Sequence, residues 1–121
     1  MSYDFYRMFH LVGVFMILIA LGGVALHVAS GGTREFANRK WIAILHGVGL
    51  LIAGVGGFGL LARLNFMSPI PGWAWTKIVI WLLLGGAPAL VYKKKELAKP
   101  FWFATLVLST LATWLAIFKP Y

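Results

Sequence analysis

Cysteine is absent from the 121 residues. That removes disulfides, iron–sulfur clusters, thiolate haem ligation and thiol catalysis in one step. Acids are scarce as well: three Asp and Glu stand against eleven Lys and Arg, a formal charge of +8. Charged residues of either sign make up only 12% of the chain while 61% is hydrophobic, and the mean hydropathy is +0.87. No soluble enzyme, disordered tail or nucleic-acid-binding module could keep apolar blocks of this length out of water. The bases therefore read as signals between membrane spans, where they orient the chain and meet anionic lipid, and nucleic acid is not an expected partner.

What is present is four long apolar blocks. Met8–Ala29 and Trp41–Ala62 are uncharged runs of 22 residues each. At 1.5 Å per residue each is about 33 Å long, enough for a hydrocarbon core of about 30 Å. A third block covers 72–92, after the Pro69, Ile70, Pro71 breaker, and its one charge, Lys77, is near enough to its start to snorkel. The fourth covers 100–118, opened by Pro100 and closed by Lys119 and Pro120. The expected fold is all-α: an antiparallel four-helix bundle in the bilayer, one membrane domain over residues 1–121. The opening MSYDFYR is not a basic leader region, and the run after it is too long for a signal peptide's apolar stretch. Helix 1 is thus expected in the mature protein, although Val28, Ala29 and Ser30 resemble a cleavage site.

Orientation follows from the bases. Arg34, Arg39, Lys40, Lys93, Lys94, Lys95 and Lys99 lie in the first and third connections, against Arg7, Arg63, Lys77 and Lys119 on the other side. The positive-inside rule then places both termini outside the cytoplasm, with a bacterial inner membrane as the expected location. Trp73, Trp75, Tyr3, Tyr6 and Tyr121 on one side, and Trp41 and Tyr92 on the other, supply interfacial aromatics.

Helix 2 carries Gly47, Gly49, Gly54, Gly56, Gly57 and Gly59. At 100° per residue, Gly49, Ala53 and Gly57 fall within about 60° of His46, and Gly13, Met16, Ala20 and Gly23 within about 40° of His27. Such stripes let helices, or a flat ligand, approach closely. His27 and His46 lie at similar depth near the first connection, on antiparallel neighbours. Two neutral imidazoles on facing helices, with small residues between, is the arrangement of a bis-histidine haem b, whose propionates Arg34, Arg39 or Lys40 would meet. The same spacing suits two histidines that are each hydrogen-bonded to a helix carbonyl, Ser or Thr.

His10, the alternative ligand, lies about 100° around helix 1 from His27 and near the opposite face. With Arg63 and Lys77 it forms a second polar layer, readable as an anion or quinone-head site or as an interfacial charge cluster. Thr105, Ser109, Thr110 and Thr113 in helix 4 can satisfy themselves on the backbone. Gly85, Gly86 and Pro88 should bend helix 3.

His10, the Arg39, Lys40, Trp41 entry to a helix with His46, the run Gly54 to Leu60, then Gly72, Trp73 and Lys77 opening a helix with Gly85, Gly86, Ala87 and a basic Lys93 to Lys95 exit together resemble the small four-helix membrane proteins of the SirB type. The pattern covers Arg7 to Lys95, and its Gly-Trp-x-x-x-Lys element is similar to one in the HemJ and CopD groups. HemJ is a haem-b-containing protoporphyrinogen oxidase, so the resemblance implies haem or redox chemistry by an indirect route. His10, His46 and Lys77 match that pattern; His27 has no counterpart in it. Three functions stay open: a haem-b redox or electron-transfer protein, with quinone as a candidate partner; a non-catalytic accessory subunit of a larger membrane complex; and a small dimeric transporter, for which no broken helix pair or membrane-buried acid is visible, and a homo-oligomer is a candidate assembly.

Overall fold

Ser2 opens the first helix: its hydroxyl accepts the Phe5 N–H at 3.2 Å, and Asp4 sits in the first turn where the helix dipole favours an anion. Helix α1 (Tyr3–Ala29) therefore starts five residues ahead of the uncharged run. At about 40 Å it is longer than the hydrocarbon core, so charges mark where the lipid begins and not where the helix does. The computed structural model describes residues 2–121 and places three further helices after it, α2 (Arg39–Arg63), α3 (Gly72–Lys93) and α4 (Ala98–Phe118), with a single 3₁₀ turn at Lys95–Leu97. All four are long and apolar enough to cross a membrane.

Two of the helix ends are closed by the same backbone device. After α1, Gly31 takes a φ of 93°, the Gly32 N–H reaches the His27 carbonyl at 2.9 Å, and the Gly31 N–H reaches Val28 at 3.0 Å. After α2, Asn65 takes a φ of 60° and the Phe66 and Asn65 N–H groups return to Leu61 and Ala62 in the same way. Both are Schellman closures, which satisfy carbonyls that would otherwise face the bilayer interface unpaired. Phe66 then packs over the end of the bundle, edge-on to Trp73 at 5.8 Å.

Short connections reverse the chain each time, giving an all-α antiparallel bundle. α1 is the hub: it lies along α2 and also touches α3 and α4, while α2 and α4 do not meet among the described residues. One core cluster, with Ile17, Leu21, Ile80, Leu84 and Leu115, fills the middle, and a second, with Val24, Val28, Val91 and Ala98, fills the end near the first and third connections. Trp73, expected among interfacial aromatics, turns inward and is buried beneath Phe66 with the Lys119 ammonium 5.4 Å from its ring; Trp75 stays exposed. α3 remains helical through Pro88.

Candidate functional site

The glycines of α2, Gly47 apart, meet protein and not open space. A Cβ on Gly49 would stand 2.8 Å from that of Met16, one on Gly56 would stand 2.7 Å from the Cα of His10, and one on Gly54 would stand 2.9 Å from the Trp81 ring. Near the first connection, Gly23 lies under Ile42. The two small-residue stripes thus close on each other, and the buried set on α2 is Gly49, Ala53, Gly56 and Leu61.

Each histidine is held by a backbone carbonyl. A carbonyl can only accept, so the bonded ring nitrogen carries a proton, which fixes the tautomer of the neutral ring. His27 donates from Nε2 to the Thr33 carbonyl at 2.8 Å, inside its own loop, and its ring stacks on Phe36 at 3.7 Å. His46 donates from Nε2 to the Leu84 carbonyl of α3 at 3.1 Å. The candidate pair therefore turns to different neighbours, and both Nε2 atoms act as donors. His10 is the reverse: Nδ1 donates to the Ala53 carbonyl of α2 at 2.8 Å, which leaves Nε2 with its lone pair.

A fourth donor, Trp81, was not signalled by any sequence motif. Its Nε1 donates to the Leu50 carbonyl of α2 at 3.0 Å. The three bonds that cross between helices share a local reason. In a helix the residue four positions on normally donates to a given carbonyl, and its side chain leans back over that carbonyl. For Ala53 that residue is Gly57, for Leu50 it is Gly54, and for Leu84 it is Pro88. The two glycines leave the carbonyl uncovered, and the proline leaves it without a partner. His46 thus occupies the vacancy that Pro88 creates; counting back four from the proline marks the Leu84 carbonyl in the sequence, but its partner is set by the packing of α2 on α3. Trp81→Phe deletes the donor and also trims the indole atoms that lie against Gly54, so it is expected to lower the stability of the detergent-solubilised bundle by at least about 0.5–1.5 kcal/mol. Trp102→Phe, at an exposed position, is the matched control.

The other candidates gather at the two ends. Arg34 lies over the Tyr92 ring at 5.6 Å, Phe36 is 6.3 Å from the same ring, and Arg39 is close enough for its charge to act on the Tyr92 hydroxyl. Lys40 is exposed. At the other end Lys77 is half-buried, and its charge reaches His10 and is itself felt with that of Lys119. Arg63, the last residue of α2, is exposed and about 9 Å farther along the helix than Gly57. Comparison with family models, with curated proteins and with solved structures finds no match to this chain.

Proposed function

We propose that this integral membrane protein works as a non-catalytic packing subunit of a larger membrane assembly. The observation that carries the reading is the use made of its intramembrane donors: His10, His46 and Trp81 each tie one helix to a carbonyl of another. Polar groups that cost most to leave unpaired in lipid are here fasteners of the bundle. The outward surface supports the same reading, since α4 presents Phe103, Leu106, Val107, Trp114 and Ile117 on exposed positions. Protein purified in mild detergent is expected to be colourless and to migrate with a partner in fixed stoichiometry. A Soret band with reduced α and β bands at one haem per chain would overturn the proposal.

A haem-b electron carrier serving quinone is the second reading, and His10 is the observation that favours it. A histidine whose Nδ1–H is fixed on a carbonyl presents Nε2 as a ligand, the usual second-shell arrangement at metal sites. His10 and Lys77 are also residues through which the chain resembles SirB-type proteins. On this reading the visible spectrum is lost in His10→Ala and survives in His27→Ala; on a His27–His46 pairing the order reverses.

A further inference from the structure

Between α2 and α3 the bundle leaves a cleft of about 300 Å³, lined by Leu50, Trp81, Leu82, Gly85 and Gly86. Gly86 and, one turn before Leu50 on α2, Gly47 have no neighbour within 4 Å where a side chain would stand, so the missing side chains open the cleft to the bilayer. Antiparallel pairing of His46 with Leu84 and of Leu50 with Trp81 brings Arg39 opposite Tyr92 at the end of the same furrow. Gly86 lies about 9 Å below Tyr92, and Leu50 about 16 Å below Arg39, which is the depth range of an acyl chain whose head is at the interface. At that interface Arg34 lies over Tyr92 and Arg39 adjoins it, on the face that carries seven of the eleven bases.

We propose that this furrow seats one anionic phospholipid, its phosphate on Arg34, Arg39 and the Tyr92 hydroxyl and one acyl chain in the cleft between α2 and α3. Charge complementarity selects the occupant: two guanidiniums with a phenolic O–H present the donor set for a phosphate-bearing head. The apolar cleft directly below demands a tail on the same molecule. A zwitterionic lipid places a choline against the same arginines and is disfavoured. The inference goes beyond the proposed function and stands under either reading of it.

The test is native mass spectrometry of the whole protein in mixed micelles holding equimolar dioleoylphosphatidylglycerol and dioleoylphosphatidylcholine. One retained lipid is expected, with a preference for the glycerol lipid of about 30-fold, the product of two arginine contributions of about 1 kcal/mol each. Arg34→Gln with Arg39→Gln should remove that preference. Gly86→Leu, which fills the cleft at a position with free space, should leave the fold intact and abolish retention of the lipid. Should the arginine variant fail to fold, the wild-type competition and Gly86→Leu decide the matter by themselves. Equal retention of the two lipids by the wild type, an undiminished preference in a folded arginine variant, or unchanged retention in Gly86→Leu would each overturn the proposal. So would full displacement of the lipid by inorganic phosphate, which would reduce the furrow to a free-anion site.

Discussion

Gly13→Leu is expected to prevent assembly of the bundle. A Cβ at position 13 would run into the Ala53 backbone nitrogen, with the Ala53 Cα and the Gly49 carbonyl oxygen each 2.8 Å away. These are main-chain atoms of a helix and cannot rotate aside, so α1 and α2 must separate along the seam that also holds Gly49 and Gly56. Overpacking costs about 1–3 kcal/mol where side chains can yield, and more is expected where they cannot. α1 is also the helix through which α4 is joined to α2, and it makes the largest interface with α2, so the penalty spreads beyond the seam. Gly13→Ala is the milder probe, and Gly47→Ala is its control, because nothing lies within 4 Å of a Cβ at 47. Loss of helicity on titration with SDS in mixed micelles should come much earlier for Gly13→Ala than for wild type, and no earlier for Gly47→Ala. Equal midpoints for the two alanine variants would mean that α1 and α2 do not approach as described.

The seam also shows how far the residues alone carry the argument. Four spans and their antiparallel order were legible because hydrocarbon thickness forces long uncharged runs, and bases must fall between them. Helix starts were less so: Ser2 and Asp4 extend α1 into the headgroup region, where a charge is no obstacle. The wheel centred on His46 groups Gly49, Ala53 and Gly57 into one stripe, whereas the small residues buried on α2 are Gly49, Ala53 and Gly56, and Gly57 borders the His10 ring. A wheel gives angles within one helix but not its rotation relative to a neighbour. That rotation decides which neighbour each imidazole faces, and His46 faces the Leu84 carbonyl of α3. In loop 1, Phe36 stacks on His27 and Arg34 lies over Tyr92. Those contacts depend on the path of a loop, which periodicity does not encode.

Removing His46 should matter only while Pro88 is in place. Pro88 has no N–H, so the Leu84 carbonyl lacks its ordinary donor four residues on, and His46 Nε2 supplies one from α2 at 3.1 Å. His46→Ala strands that carbonyl beside a residue that is 8% exposed, in surroundings where water does not reach it. The expected loss is about 1–2 kcal/mol, between membrane double-mutant values and those for a buried unsatisfied group. Pro88→Ala returns a backbone N–H to the ladder and makes the imidazole redundant. His46→Ala in that background should therefore cost less than about 0.5 kcal/mol, a coupling that a double-mutant cycle on SDS-unfolding midpoints would read. His46→Gln, which keeps an N–H donor on a flexible stem, should recover part of the loss with Pro88 present. A histidine retained to bind a ligand would behave otherwise: its replacement would cost the same stability with or without the proline, and glutamine would restore nothing. An equal penalty in both backgrounds would remove the proline from the explanation of His46 and favour a ligand-binding role for that residue.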